Sequence, residues 1–364
     1  MKVYLLHKCF KFTKNPAKKQ TSLNYHIIYQ TIMKILHHLL LASFIIFTTH
    51  SNAENELSSE DPDQGKVSAT LFTEFNTTLN NDNYKSAFEV NRAYLGYSKA
   101  LNQGFSAEIK LDIGAPNDAS GELHRRFAYV KTAALYYNYK KVRLEFGMIN
   151  TTQFIGAEGF WDKRYISKIF MDAYSFGSTA DLGLKAIYSF NNSYAIDFSV
   201  LNGEGYQSLQ NDDFYKTTIG FTAQPFDGFV GRIYADVEPK TVTQNTFSLF
   251  AGQTVHRYHL GVEYSHQFNH RHNENADRYG YSILGKVDIT DKINILGRFD
   301  YIDSKIGSVK DDFEPFKDGQ LIIGGAEYIV SNQVRLSLNY RQWTPSIEGG
   351  KNVSSLHASL EIKF

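Results

Sequence analysis

The chain closes on Val353-Ser354-Ser355-Leu356-His357-Ala358-Ser359-Leu360-Glu361-Ile362-Lys363-Phe364, a segment that alternates polar and apolar side chains to its last residue. Ser354, Leu356, Ala358, Leu360, Ile362 and Phe364 fall on one face, and Val353, Ser355, His357, Ser359, Glu361 and Lys363 on the other. A strand points its side chains to opposite sides with period 2, so one face here is greasy and the other carries both charge signs. A soluble sandwich could use such a strand to close a sheet. In a chain that repeats the pattern throughout, the segment reads as the closing strand of a barrel set in lipid, apolar outside and wet inside.

Working back from this end, the same alternation recurs over 67–79, 86–99, 104–113, 126–138, 142–149, 181–190, 194–202, 215–224, 229–237, 246–255, 258–267, 279–289, 293–303, 319–330 and 334–344. With 353–364 that makes sixteen segments. The connections are more telling than the strands. Leu101-Asn102-Gln103, Tyr139-Lys140-Lys141, Asn191-Asn192-Ser193, Pro225-Phe226-Asp227-Gly228, His256-Arg257, Thr290-Asp291-Lys292 and Ser331-Asn332-Gln333 are short turns. Longer polar loops alternate with them at 80–85, 114–125, 150–180, 203–214, 238–245, 268–278, 304–318 and 345–352. Short turns at one end and long loops at the other predict an all-β, antiparallel, up-and-down transmembrane barrel of sixteen strands, with both termini at the short-turn end.

Composition agrees. Twenty-seven Phe and 24 Tyr against 7 Pro suit an aromatic-rich strand wall. No run of about twenty apolar residues follows Ala53, so spanning helices are not expected. At the amino end, Met33-Lys34 opens a basic region, Leu36–Thr48 is mostly apolar, and Ser51-Asn52-Ala53 has the small-x-small pattern of a secretory cleavage site. Residues 33–53 therefore read as a signal peptide, 1–32 as an upstream start artefact, 54–66 as a short periplasmic segment, and 67–364 as one barrel. Cys9 is the single cysteine and falls in the removed part, so no disulfide is expected in the mature protein. Of the 38 Lys and Arg, seven lie in residues 1–53, which hold no Asp or Glu; beyond Ala53, 31 basic residues face 38 acidic ones. That acidic balance argues against a nucleic-acid partner.

The lipid-facing set follows from what hydrocarbon tolerates. Ile109, Leu111 and Ile113 point out while Glu108, Lys110 and Asp112 point in. Val142, Leu144, Phe146 and Met148 oppose inward Arg143 and Glu145; Ile293, Ile295, Phe299 and Tyr301 oppose Asn294, Arg298 and Asp300. Val334, Leu336, Leu338 and Tyr340 oppose Arg335, Asn339 and Arg341. A charge at the lipid midplane costs about 2–4 kcal/mol and one in a wet lumen costs little, which fixes the register. Both signs on the inner face suggest a hydrated pore with opposed charges, not a dry packed core.

Residues 86–190 resemble a known family. Phe88-Glu89-Val90-Asn91-Arg92-Ala93-Tyr94-Leu95-Gly96-Tyr97 is similar to the arginine-alanine-x-leucine-glycine strand of the phosphate-selective porin O and P family. Phe105 through Asp112, Ala128-Tyr129-Val130, Phe146-Gly147-Met148 with Thr152-Gln153-Phe154, and Ser178-Thr179-Ala180-Asp181-Leu182-Gly183 continue the likeness. Asn91 stands where the family often has a second arginine, and Thr152 where it has proline. The resemblance implies a sixteen-stranded, usually trimeric channel in the Gram-negative outer membrane, in contact with lipid and lipopolysaccharide. Phe364, as the last apolar side chain, separately resembles the terminal aromatic that the outer-membrane assembly machinery reads.

The loop 150–180 is far longer than an ordinary connection and needs a reason. Phe160-Trp161-Asp162-Lys163-Arg164-Tyr165 and Lys168 supply aromatic surface and three cations. Folded inward, Asp162, Lys163, Arg164 and Lys168 would sit at a constriction and set ion preference; folded outward, they would lie solvated over the mouth. Arg92, Glu108, Lys110, Arg143, Glu145, Arg298, Asp300, Arg335 and Arg341 are the candidate lumen wall. Arg125 and Arg126 mark a rim that could draw anions or bind headgroup phosphates.

His256, His259, His266, His270 and His272, with Glu274 and Asp277, have metal-ligand residue types, but their spacing straddles a strand end and a loop, so a solvated loop is the better reading. No nucleophile motif surrounds a serine, and His259 and Ser265 point inward, so catalysis and cofactors are not expected. Residues 54–66 are too short and polar for a plug. The expected function is passive diffusion of small hydrophilic solutes or ions, with a phosphate or oligoanion channel as the alternative and a closed structural or adhesin barrel third.

The leader reading predicts a mature protein that starts near Glu54. Amino-terminal sequencing of membrane-inserted protein should find it there, and a sequence beginning before Met33 would overturn the assignment.

Overall fold

A computed structural model describes residues 65–80, 83–114, 126–307, 314 and 317–364. The expected start artefact, the signal peptide, residues 54–64 and Arg125 lie outside the described residues. The strands are β1 (Lys66–Asn80), β2 (Asn83–Ala100), β3 (Phe105–Gly114), β4 (Phe127–Tyr139), β5 (Val142–Asn150), β6 (Ala180–Ser189), β7 (Tyr194–Leu201) and β8 (Lys216–Ala223). They continue as β9 (Phe229–Glu238), β10 (Gln244–Val255), β11 (Tyr258–Phe268), β12 (Ala276–Asp288), β13 (Ile293–Ile306), β14 (Gly319–Ile329), β15 (Val334–Pro345) and β16 (Val353–Lys363). Each pairs antiparallel with its chain neighbours and β1 pairs with β16, so the sheet closes on itself.

The seam is sealed by the last residue. Phe364 N donates to Ala69 O at 3.0 Å, Ala69 N donates to Phe364 O at 2.6 Å, and the ring is 66% exposed on the outer face. Elsewhere the faces fall as the alternation requires. Ile109, Leu144, Phe146, Ile295 and Leu338 are exposed, whereas Asp112, Glu145, Arg298, Asp300 and Asn339 are buried toward the axis. The short turns are tight; between β2 and β3, Gln103 and Gly104 both have positive φ, and a Cβ on Gly104 would sit 2.6 Å from Asn138 O.

Three expectations are corrected. Of the loop placed at 80–85, Asn80 and residues 83–85 belong to strands instead, because β1 and β2 run on to pair Asn80 with Asn83, while residues 81–82 lie outside the described residues. Two strands carry an extra residue. Opposite β1, Arg92 pairs with Phe72 and Val90 with Thr73, which leaves Asn91 unpaired; opposite β3, Thr132 pairs with Lys110 and Val130 with Leu111, which leaves Lys131 unpaired. These are β-bulges, and each puts two consecutive residues on the inner side.

The third correction concerns the interior, which is not wholly wet. Phe72, Phe154, Trp161, Tyr165, Ile166, Ile169, Phe170, Met171, Phe176, Tyr234, Phe250, Leu284, Leu296, Ile302 and Ile323 form one buried apolar cluster. Its two halves are the long loop after β5 and inward-facing wall residues, mainly of β9–β14. Each fully buried Leu, Ile or Phe contributes about 1.5–3 kcal/mol relative to exposure, so the loop is a packed element.

Because Phe364 contributes one reciprocal backbone pair to a long seam, its deletion should cost only about 1–3 kcal/mol of barrel stability. Detergent refolding, followed by heat-modifiable migration on gels, should survive the deletion while insertion in cells falls. Equal insertion of the truncated and full chains would contradict this.

Candidate pore constriction

Residues 151–179 connect β5 to β6 and carry two short helices, α1 (Ala157–Trp161) and α2 (Phe170–Ala173). The loop lies inside the lumen, as its contacts establish. Glu327 on β14 accepts from Tyr165 Oη at 2.7 Å and pairs with Lys163 Nζ at 3.0 Å. Arg335 on β15 grips Asp162 at 2.7 Å and also pairs with Glu361 on β16. Glu263 on β11 accepts from Met171 N at 3.2 Å, and Asp300 on β13 accepts from Tyr174 Oη at 3.1 Å. Arg298 donates to Lys168 O and to Asp300, and lies 5.7 Å over the Trp161 ring. Gln267 donates to Phe176 O at 2.9 Å, and Tyr234 to Gln153 at 3.3 Å.

Glycine in the wall makes room for the loop aromatics. Gly252 on β10 and Gly261 on β11 are cross-strand partners on the inner face. A Cβ on Gly252 would come within 2.6 Å of the Phe160 ring, and one on Gly261 within 3.0 Å. Gly280 on β12 does the same for Phe170, at 2.8 Å. The missing side chains form a recess that seats the loop by shape.

The four expected constriction residues separate into different environments. Lys163 is only 4% exposed and turned to the wall, against Glu327. Its burial pulls the pKa down, and the carboxylate only partly offsets that. Asp162 tends upward through burial, but the hydrogen bond and charge of Arg335 outweigh this and hold it below the usual carboxylate range. Arg164 stands in the passage, bound to Glu158 at 2.9 Å, Asp172 at 2.6 Å and Tyr94 Oη at 3.3 Å. Burial works against its charge, yet Asp172 and its other partners raise its pKa. Asp172 is depressed in turn, because Arg164 and Lys168 overcome its burial. Lys168 is 46% exposed and bonded to Asp172 at 3.1 Å. All three cations are ion-paired, and Lys163 anchors the loop to the wall rather than facing the opening, where the sequence reading puts it.

The expected wall residues face inward in pairs. Arg92 meets Asp112 at 3.2 Å, Lys110 meets Glu108 at 2.6 Å, and Arg143 meets Glu145 at 2.8 Å. Arg298 meets Asp300 at 2.7 Å and Arg341 meets Glu74 at 3.5 Å. The histidines of the long-loop end disperse to separate partners: His266 to Asp277, His270 to Gln267, and His272 to Glu238. The alternation missed Lys131, because the bulge that turns it inward breaks the period and leaves no compositional mark.

Two cavities with mixed polar and apolar lining remain beside the loop. One, of about 620 Å³, is bounded by Thr70, Tyr94, Lys110, Lys131, Glu158 and Arg164 among others. The second, about 360 Å³, is bounded by Asn91, Arg92, Arg164, Lys168 and Arg341 among others. Arg164 lines both.

No protein-family model matches the sequence, and no curated protein sequence does. Solved structures with the same fold include OmpF of Salmonella typhi in complex with daunomycin (11% identity, 83% of this chain and 98% of that one, TM-score 0.65). OmpT of Vibrio cholerae matches at 14% identity over 84% of this chain and 98% of its own, with a TM-score of 0.60. The anion-selective porin of Comamonas acidovorans matches at 9% identity over 83% and 100%, with a TM-score of 0.59. The chain therefore has the general porin barrel.

Gly252→Val should force Phe160 out of its recess and loosen α1. Trp161, 3% exposed and one of the two tryptophans, is the reporter: its emission should shift to the red while the barrel stays heat-modifiable. An unchanged spectrum would show that the loop does not depend on the glycine recess.

Proposed function

We propose that the protein is a passive diffusion porin of the Gram-negative outer membrane, delivered by a signal peptide cleaved near Ala53 and working as a homotrimer. The observation that carries this is the loop held across the lumen beside cavities of about 620 and 360 Å³, both lined by charged side chains, Arg164 among them. A folded-in loop narrows the path and fixes charges along it, while water fills the remainder, so small hydrophilic solutes and ions pass with weak, multi-site contacts. The outer face meets lipid and lipopolysaccharide, and the short-turn end, with Phe364, faces the periplasm and the assembly machinery. A trimer form has been solved for OmpT of Vibrio cholerae (14% identity, TM-score 0.55), which supports that subunit number for this chain.

The resemblance over 86–190 raises the reading of a phosphate-selective channel. The pairing of Arg92, Arg143, Arg298, Arg335 and Arg341 with carboxylates favours general diffusion instead, because a neutralised wall offers no ladder for a multivalent anion. Catalysis has little to support it. His259 does lie between Thr254 Oγ1 at 2.9 Å and Asp288 at 2.8 Å, the order of a nucleophile relay. Asp288 is also bonded to Lys286, and the adjoining space holds only about 10 Å³, too little for a substrate.

Planar-bilayer conductance under a salt gradient tests the reading. Arg164→Gln with Lys168→Gln removes two cations from the passage and leaves Glu158 and Asp172 unbalanced. The reversal potential should move toward cation preference by at least twofold in permeability ratio, more at low salt because screening falls off over about 10 Å at 0.1 M. Unchanged preference in a conducting, heat-modifiable variant would place selectivity elsewhere. No conductance from wild type at all would return the structural-barrel reading.

A further inference from the structure

β4 departs from its period at a single residue, and that residue is a lysine. Lys131 and Thr132 are consecutive, yet both are buried on the inner side, because Lys131 is the extra residue of the bulge opposite Lys110 and Leu111. A bulge re-aims a side chain at a local cost to the ladder, and such devices gather at functional positions. What it delivers is an ammonium 8% exposed, 5.1 Å from the centroid of Tyr94 and 5.9 Å from that of Tyr206.

Among the described residues, Lys131 Nζ has no hydrogen-bonding partner and no carboxylate within ion-pair distance. It differs in this from the other lumen-facing cations named above. The carboxylates around it are already engaged: Glu158 and Asp162 in the cavity lining by Arg164 and Arg335, and Asp112 behind it by Arg92 and by Tyr206 Oη at 2.7 Å. Two aromatic faces do not replace the hydration of an ammonium; a cation–π contact is worth about 0.5–2 kcal/mol, and burying an unpaired charge costs more. A second donor is unspent nearby. Arg164 Nη2 is buried without a partner, and Arg164 and Lys131 line the same cavity of about 620 Å³. That cavity also holds Phe154 and Ile155, so its cationic corner adjoins apolar surface.

We propose that Lys131, with the free donor of Arg164, forms a subsite for a small organic monocarboxylate, its carboxylate on the two cations and its apolar part against Tyr94, Phe154 and Ile155. One unpaired positive charge matches one negative charge. A multivalent oxyanion would meet Glu158 and Asp162 with no unpaired cation left over, since Lys110 is held by Glu108, so phosphate should bind more weakly than a carboxylate with a hydrophobic tail. The subsite rests on the channel reading and specifies which solutes that channel favours.

The test uses the full mature protein with benzoate as the probe, in two measurements that fail separately. In planar bilayers, benzoate added to potassium chloride should reduce the chloride current at millimolar concentrations, and phosphate at the same concentration should reduce it less. By titration calorimetry in detergent, benzoate should bind the wild type, Lys131→Gln should weaken that binding about tenfold or more, and Lys131→Arg should restore most of it. Heat-modifiable migration shows that each variant is folded. Binding equal in wild type and Lys131→Gln, or phosphate outcompeting benzoate, overturns the subsite. A protein that binds benzoate through Lys131 but conducts no chloride keeps the subsite and refutes the channel.

Discussion

Backbone amides that meet hydrocarbon have no water to bond, so a strand-built wall in a membrane must pair every edge. Here that requirement falls on the seam between β1 and β16, closed by the reciprocal bonds of Ala69 and Phe364. An all-antiparallel sheet closes only on an even strand number, here sixteen, so the barrel begins and ends at the short-turn end, and period 2 then decides which side chain faces lipid along each strand. The polar lumen is a consequence of the same constraint: whatever the outer face cannot hold must turn inward and find partners there.

Those inward groups are what the loop uses. A segment crossing the lumen has to satisfy its own backbone and side chains, and a wall of carboxylates and guanidiniums is a suitable surface for it. Glu327, Asp300 and Glu263 take Lys163, Tyr165, Tyr174 and the Met171 amide, while Arg335 and Arg298 return the exchange. Polar anchoring alone would leave the loop as mobile as any exposed ion-pair network. Leu284, Leu296, Ile302 and Ile323 break the polar-in rule and supply the apolar contact that fixes it in place. The two kinds of contact divide the labour, charges setting position and apolar burial supplying most of the hold.

How much of this was legible follows from the same physics. Every strand lies within three residues of its expected place, because lipid punishes a slipped register at each outward position. The loop was recognised from length alone. Lys163 was assigned to the opening because its fate depends on Glu327, distant in sequence and unmarked as a partner. Leu296 and Ile302 gave no signal either, since an apolar residue on the polar face is informative only once the element it packs against is known. Lys131 was missed because a bulge shifts the period by one for a single step, and no residue type announces it.

The placement of charge in the lumen carries a general consequence for selectivity. A paired Arg and Asp present a dipole to a passing ion, with a field that falls quickly with distance, whereas an unpaired ammonium presents a monopole. Most of the wall here is built from pairs, so its many charges largely cancel beyond their own contacts despite the acidic balance of the chain. The local sign at the narrowest part is then decided by the few groups left without a counter-charge. A single bulge in β4, by turning one lysine inward where, among the described residues, no carboxylate is free to meet it, can therefore weigh more in solute preference than the net charge of the rest of the barrel.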